Sequence, residues 1–126
     1  MRYELMGKQN LAIGHLGEEI ARKYLEDKGY RMLEQNYKNR YAEIDLVASD
    51  KRNLVFVEVK TRIGEHFGSP ETSLDKGKIR KVLNNARAYV ARKKFRGEYR
   101  IDAVCIVLDK NRNINRISHY QNIETN

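Results

Sequence analysis

Two acidic residues and one lysine interrupt apolar stretches in the first half of the chain. Residues 54–60 read Leu-Val-Phe-Val-Glu-Val-Lys, so Glu58 and Lys60 follow a run of apolar residues. Such runs are typical of strands that are covered on both faces. Residues two apart lie on the same face of a strand, which places Glu58 beside Lys60 and opposite the valines. A buried charge without a partner is costly, so both side chains must be paired, hydrated or bound to a metal ion.

A third charged residue, Asp45, lies in another apolar stretch, residues 42–48. If the two stretches form neighbouring strands, Asp45, Glu58 and Lys60 converge. Two carboxylates that share a site repel each other, which raises the pKa of one of them unless a cation holds both ionised. Mg²⁺ prefers oxygen ligands, and a bound metal ion can orient water and polarise a phosphoryl oxygen. The trio indicates either a divalent metal site or a buried ion network, and the residues alone leave both open.

Hydrophobic periodicity and turn residues predict two helices and five strands around this trio. The helices are predicted over residues 7–28 and 76–95. Gly29 is expected to end the first, and Ser73 or Asp75 to cap the second. The strands are predicted over residues 31–37, 42–48, 54–61, 99–108 and 114–120.

The remaining residues are predicted to be connections. Residues 62–75 form a loop with one helical turn after Pro70, and residues 121–126 form a frayed tail. The order αβββαββ predicts a mixed β-sheet flanked by helices, which is an α/β fold. At this length the chain, residues 1–126, is expected to be a single domain.

The composition narrows the classes of protein to which the chain can belong. With 126 residues, 40% hydrophobic and 33% charged, it has the composition of a globular domain that can bury a core. Cys105 is the single cysteine, which excludes an internal disulfide and a multi-cysteine zinc site, and we expect it to be a buried structural thiol. No apolar run approaches the ~20 residues of a membrane span and no signal peptide is recognisable. A cytoplasmic protein without a membrane partner is expected.

Positive charge is concentrated in the second predicted helix. The net charge is +8, and residues 76–96 contain nine basic residues and no acidic one. Solvated helix faces normally mix both signs, so this excess favours contact with phosphates over a merely solvated face. Two residues at the end of the third strand, Thr61 and Arg62, are also suited to backbone phosphates. The candidates for nucleic-acid binding are therefore Thr61, Arg62, Lys76, Lys78, Arg80 and Lys81.

Two further acids are candidates for the same site as the trio. Glu18 falls at the flank of the apolar arc of the first helix, from which it can reach the sheet, whereas Glu19 lies on the polar face. The alternative for Glu18 is a surface pair with Arg22. Glu43 shares a strand face with Asp45 and is expected to be either an accessory acid or the partner of a nearby arginine.

Three blocks of the sequence resemble the signature blocks of the YraN-like family of small bacterial proteins. They are residues 14–21 (Gly-His-Leu-Gly-Glu-Glu-Ile-Ala), 43–48 (Glu-Ile-Asp-Leu-Val-Ala) and 55–62 (Val-Phe-Val-Glu-Val-Lys-Thr-Arg). Ala42 departs from the pattern, because the family usually has glycine there. That family is similar to the PD-(D/E)xK nuclease superfamily, which has the fold of restriction endonucleases and archaeal Holliday-junction resolvases.

The resemblance implies a restriction-endonuclease-like sheet and a role for each site residue. By it, Asp45 and Glu58 are metal ligands and Lys60 is the catalytic lysine. Glu18 matches an acid that the superfamily often adds from its first helix. The implied cofactor is Mg²⁺ or Mn²⁺.

These observations lead us to expect a metal-dependent, endonuclease-like enzyme that hydrolyses phosphodiester bonds in nucleic acid, with DNA expected before RNA. The alternative is a nucleic-acid-binding module that keeps the nuclease fold, has little activity of its own and acts in a DNA-processing complex. A third hypothesis is a structural, partner-binding domain in which the trio is an ion network. A homodimer would suit a two-stranded substrate, but no residue in the sequence identifies an interface.

Overall fold

Five strands and two helices follow one another in the predicted order αβββαββ. The computed structural model describes residues 2–40 and 42–123, with side chains from residue 10 onward. The helices are α1 (Arg2–Asp27) and α2 (Lys76–Lys93), and a single 3₁₀ turn spans Pro70–Ser73. The strands are β1 (Arg31–Lys38), β2 (Glu43–Asp50), β3 (Asn53–Ile63), β4 (Tyr99–Leu108) and β5 (Ile114–Tyr120). None of the described helices is long and apolar enough to cross a membrane.

The strands form one mixed sheet in the order β1-β2-β3-β4-β5. Neighbouring strands pair antiparallel except β3 and β4, which run parallel from Leu54↔Tyr99 to Ile63↔Leu108. A parallel pair needs a long connection, and the segment that contains α2 supplies it. β3 is the central strand, which explains why its sequence is almost continuously apolar.

The two helices cover opposite faces of this sheet, so alternate residues of β3 serve two separate cores. The core under α1 includes Ala21, Leu25, Val55, Val57 and Val59. The core under α2 includes Val47, Phe56, Val82, Ala86 and Tyr89. Glu58 and Lys60 follow Phe56 on the face of α2, and the valines lie on the face of α1. The charged residues and the valines are therefore on opposite faces, as predicted.

The ends of both helices follow from local sequence. Gly29 adopts φ +96°, and the N–H groups of Gly29 and Tyr30 donate to the carbonyls of Glu26 and Leu25, which closes α1. The Asp75 side chain accepts a hydrogen bond from the Lys78 N–H at 2.8 Å and caps α2, while Ser73 lies inside the predicted helical turn that follows Pro70.

Most elements other than β4 and β5 differ from the predictions by one or two residues at an end: β2 is found over Glu43–Asp50 rather than residues 42–48, and α2 ends at Lys93 rather than at residue 95. Three further differences concern α1, β3 and the tail. α1 begins at Arg2 rather than at residue 7, and β3 continues to Ile63 rather than stopping at residue 61. The start of the tail is attached to the sheet instead of frayed. Ile123 N–H donates to the Ile101 carbonyl at 2.8 Å, and Asn122 N–H donates to the Asp102 carboxylate at 3.0 Å. Residues 124–126 of the predicted tail lie outside the described part of the chain.

Candidate active site

The site forms where β2 and β3 stop pairing. Their ladder runs from Asp50↔Asn53 to Leu46↔Val57. At the next position the Asp45 side chain replaces the main-chain acceptor, and its Oδ2 accepts a hydrogen bond from the Val59 N–H at 2.8 Å. Asp45 is therefore held by the main chain of β3, beside Glu58.

Glu58 and Lys60 form an ion pair at this end of β3. The Lys60 Nζ lies 3.1 Å from the Glu58 Oε1, and the two side chains are 22% and 13% exposed. The predicted trio is thus brought together, since Asp45 interacts electrostatically with both Glu58 and Lys60. Burial lowers the pKa of Lys60, but the nearby amine of Lys78 and the charge of Glu58 outweigh it, and the pKa is raised.

Two further acids, Glu18 and Glu43, lie beside Asp45 on the side of α1, and the three residues are called the acid group. Carboxylate oxygens of Glu18, Glu43 and Asp45 all lie within 4.8 Å of one another. The Asn36 side-chain amide donates to Glu18 Oε2 at 2.9 Å and to Glu43 Oε1 at 3.1 Å. One neutral donor therefore bridges two carboxylates that would otherwise only repel. Lys38 adds a weak contact, with its Nζ 3.9 Å from Glu43 Oε2.

The crowding of carboxylates changes the acidity of Asp45. Burial and the charge of Glu58 raise the pKa of its carboxyl to about 7, and Glu18 contributes in the same direction. The hydrogen bond from Val59 and the charge of Lys60 oppose this rise but do not cancel it. A carboxylate with so high a pKa gains most from a nearby cation, because a cation removes the like-charge repulsion.

Glu18 reaches this group because α1 lies unusually close to β3. A Cβ built on Gly17 would overlap Thr61 Oγ1 and lie 2.8 Å from Thr61 Cβ, so only glycine permits the contact. Among the described side chains, the predicted alternative for Glu18, a pair with Arg22, does not occur. Arg22 instead contacts Glu19 at 4.0 Å and Glu26 at 3.2 Å.

The same contact determines the position of Thr61, a predicted phosphate contact. Its hydroxyl oxygen is buried against α1 and has no hydrogen-bond partner among the described residues. The structure therefore places the Thr61 hydroxyl in the helix–strand contact, while the residue as a whole is half-buried and lines a cavity. The next residue, Arg62, is half-buried and lines the same cavity of about 280 Å³.

The basic candidates on α2 fall into two groups. Lys78, in the first turn of the helix, is within hydrogen-bonding reach of Lys60, and this contact lowers the pKa of Lys78. Lys76, Arg80 and Lys81 are exposed, and none of them forms a salt bridge within the described part of the chain. Lys78 thus extends the trio toward α2, while the other three present an unpaired positive surface.

Three members of this arrangement were not identified, or were assigned another role, by sequence reasoning. The sequence does not single out Asn36, it leaves Glu43 open between an accessory acid and the partner of an arginine, and it assigns Lys78 to nucleic-acid binding without a contact to Lys60. The one sequence signal for Asn36 is its type, since it adopts φ +49° within β1 and asparagine tolerates that conformation better than most residues. The contact between Lys78 and Lys60 has no sequence signal, because it depends on how α2 crosses the sheet.

A second buried charged group, centred on Asp102, is fully paired. Its carboxylate accepts hydrogen bonds from Arg100 Nε at 2.9 Å and from Asn122 N–H, and lies 2.8 Å from His119 Nε2. This group attaches the end of the chain to β4. Cys105 is fully buried, and burial raises the pKa of its thiol to about 12, as expected of a structural cysteine.

Comparison with known proteins identifies the family of this chain. A family model described as "Uncharacterised protein family UPF0102" matches residues 17–106. A UPF0102 protein of Syntrophomonas wolfei is 40% identical over 114 residues, which cover 90% of this chain and 97% of that protein. A UPF0102 protein of Caldanaerobacter subterraneus is 38% identical over 112 residues, which cover 87% and 92%. The matched region contains Glu18, Asp45, Glu58 and Lys60, and the chain belongs to the UPF0102 family.

Proposed function

We propose that this protein is a divalent-metal-dependent nuclease that hydrolyses phosphodiester bonds in nucleic acid, with DNA as the preferred substrate. The observation that carries the proposal is the position of Asp45. Its carboxylate is fixed by the Val59 N–H between two groups, Glu58 with Lys60 on one side and Glu18 with Glu43 on the other. Carboxylates and a lysine gathered where two strands separate supply the groups that metal-assisted phosphoryl chemistry needs.

The donor set fits Mg²⁺ or Mn²⁺. All the candidate ligand atoms are carboxylate oxygens, the type that Mg²⁺ prefers. Asp45 and Glu58 would hold the ion, and Glu18 and Glu43 offer further oxygens within 4.8 Å of Asp45. A bound divalent ion supplies Lewis acidity and an activated water. The raised pKa of Asp45 supports a metal ion at this site, because repulsion among neighbouring carboxylates is unfavourable and a bound cation would reduce it.

Lys60 would contact the substrate rather than stabilise the fold. Its ammonium is held 3.1 Å from Glu58, so its charge points into the site without contributing to either hydrophobic core. A fixed positive charge beside the reacting phosphate stabilises the negative charge that develops in the transition state. Lys78 adjoins it and would contact the same phosphate or the next one along the strand.

The unpaired cations at the start of α2 would hold the substrate backbone. Lys76, Arg80 and Lys81 follow the Asp75 cap, where the helix dipole adds partial positive charge. Such contacts give affinity without sequence preference.

The test combines metal binding with cleavage. Calorimetric titration with Mn²⁺ should give a binding isotherm for the wild type that Asp45→Ala and Glu58→Ala abolish. Both variants should lose cleavage across a panel of single-stranded, duplex and branched oligonucleotides while retaining affinity for them. Lys60→Ala should still bind metal but lose cleavage. A wild-type protein that binds no divalent ion would contradict the proposal.

A matched pair on α1 separates site acids from surface acids. Glu18→Gln should weaken metal binding, whereas Glu19→Gln, whose side chain is 64% exposed, should not. Equal behaviour of the two variants would remove Glu18 from the site.

A nucleic-acid-binding module is the second candidate, and the nine basic residues without an acid in residues 76–96 favour it. Such a module would bind the same oligonucleotides with no cleavage at any metal concentration. Its affinity would fall when the α2 cations are neutralised and would be indifferent to Asp45→Ala.

A further inference from the structure

Phe67 is the most exposed large hydrophobic side chain in the described part of the protein. It is 96% exposed, in the loop between β3 and the 3₁₀ turn, whereas the next such residue, Leu11, is 65% exposed. Burying an aromatic ring is strongly favourable. A ring left entirely in water therefore contributes nothing to this fold and is available to a partner.

The loop around Phe67 is held in place rather than loose. The Gly68 N–H donates to the Glu65 carbonyl at 3.1 Å, and the Glu65 carboxylate pairs with Arg116 of β5 at 2.8 Å. Gly64 and Gly68 adopt φ +66° and +108°, conformations that suit glycine and set the loop's path. A fixed ring costs little further conformational entropy when a ligand binds.

One residue of α1 lines both the cavity at Phe67 and a cavity at the candidate active site. Phe67, Arg62 and Asn10 line a cavity of about 280 Å³. Asn10 also lines a second cavity of about 510 Å³, which contains Glu18 and Glu43 of the acid group. Asn10 of α1 therefore borders both cavities, of which one contains a cation and an aromatic ring and the other two of the candidate metal-site acids.

We infer that Phe67 is a stacking platform for an unpaired base of the substrate, and that Arg62 contacts the phosphate beside that base. The inference rests on the proposed function and narrows it to nucleic acid with unpaired bases near the reacting phosphate. Every base presents a flat face to an aromatic ring, but in a duplex both faces are already stacked. An isolated exposed ring next to a cation is the pattern of single-strand recognition and not of groove reading.

The test measures binding without catalysis. Fluorescence anisotropy in EDTA would compare the full-length wild type with Phe67→Ala on a single strand, a duplex with a one-base bulge and a blunt duplex. We expect Phe67→Ala to bind the first two roughly 5- to 100-fold more weakly, as loss of one stacked base predicts, with the blunt duplex little changed. Ile114→Ala, which removes a 51% exposed side chain from β5, is the matched control and should change none of them.

A second variant gives a direct signal of stacking. The chain contains no tryptophan, so Phe67→Trp introduces a single reporter at the proposed contact. Its emission should be quenched by the single strand and the bulged duplex and unaffected by the blunt duplex, with affinity equal to the wild type.

Two results would overturn the inference. One is unchanged affinity in Phe67→Ala together with no quenching in Phe67→Trp, which would leave Phe67 as a contact for another protein. The other is an equal loss of affinity for all three oligonucleotides, which would show that Phe67 does not contact an unpaired base. Because EDTA excludes metal, absence of cleavage by the wild type would count against the proposed function alone.

Discussion

The carboxylate of Asp45 accepts a hydrogen bond from the N–H of Val59 at 2.8 Å, just beyond Leu46↔Val57, the last pair of the β2–β3 ladder. The Asp45 side chain thus accepts a hydrogen bond from β3 where the main chain of β2 no longer pairs with it. The consequence is that an acid with a pKa of about 7 is held rigidly among other acids. The arrangement is unfavourable for folding and favourable for binding a cation.

We expect Asp45→Asn to stabilise the metal-free protein at alkaline pH. Folding raises the pKa of the Asp45 carboxyl from 3.8 to about 7, so the folded state holds a proton that the unfolded chain releases. The free energy of unfolding therefore falls as the pH rises from about 4 to about 7. Asparagine has no such dependence, and its oxygen still accepts from Val59. At about pH 8 the variant should be more stable by of order 1–4 kcal/mol.

Urea unfolding in EDTA between about pH 4 and pH 8 measures this difference. Near pH 4 the variant and the wild type should converge. A variant that is less stable than the wild type at about pH 8 would show that the acid group is not a source of repulsion.

Asn36→Gly should weaken divalent metal binding. Glycine tolerates the φ of +49° at this position but removes the amide that bridges Glu18 and Glu43. Loss of a group that orients ligands typically lowers metal affinity by roughly 10- to 100-fold. Calorimetry with Mn²⁺ would measure the change. Lys38→Ala is the control, because Lys38 is 72% exposed and only approaches Glu43 at 3.9 Å, and it should bind as the wild type does.

Neutralising the exposed cations of α2 should reduce both the affinity for nucleic acid and its salt dependence. Removing one phosphate-binding cation lowers the slope of log K against log salt by about 0.7–0.9. The variant with Lys76, Arg80 and Lys81 all changed to glutamine should therefore show a slope that is smaller by about two to three. Affinity is measured by anisotropy over a salt series.

The control for that variant carries the same change in net charge elsewhere. Lys51, Arg52 and Lys110 are exposed residues of two hairpin turns, and changing all three to glutamine should leave the slope near the wild-type value. If the slope falls equally in both triple variants, the binding is a response to net charge and not to α2.

Gly17→Ala should destabilise the protein, whereas Gly14→Ala on the same helix should not. The added methyl at Gly17 overlaps Thr61, and overpacking of this kind costs about 1–3 kcal/mol. A methyl at Gly14 meets nothing within 4 Å, so the better helix propensity of alanine should stabilise α1 by roughly 0.5–1 kcal/mol. Thermal or urea unfolding of the two variants measures both effects. Similar stabilities for the two variants would contradict the close contact of α1 with β3.

Glu71→Gln should destabilise the protein at neutral pH but not in strong acid. Arg116 donates to Glu71 at 2.6 and 3.1 Å, Tyr120 donates at 2.6 Å, and the Arg116 hydrogen bonds lead in holding the Glu71 pKa at about 2. The stabilisation is complete above the ordinary pKa of 4.5 and disappears as the pH falls through about 2. We expect a loss of about 1–2 kcal/mol at neutral pH, allowing for partial exposure of the pair. Urea unfolding over this pH range measures it, and a difference independent of pH would rule out the ionised carboxylate as its source.

The order of the elements was predictable because it depends on local patterns. Alternating and continuous apolar runs located all five strands, and β4 and β5 begin and end at the predicted residues. Gly29 and Asp75 marked the ends of helices through backbone conformation and capping, which act over a few residues. The trio of Asp45, Glu58 and Lys60 was visible for the same reason, since a charge inside an apolar strand stands out without knowledge of the fold.

The completion of the site was decided by tertiary structure. Asn36 and Glu43 join Glu18 only because β1 pairs with β2, which brings Asn36 beside Glu43, and because Gly17 lets α1 approach β3. Lys78 reaches Lys60 only because α2 packs on the face that carries Glu58 and Lys60. The sequence by itself determined which charged residues had to be compensated. Which side chains compensate them depends on contacts between residues far apart in the chain, and these follow from how the helices pack on the sheet.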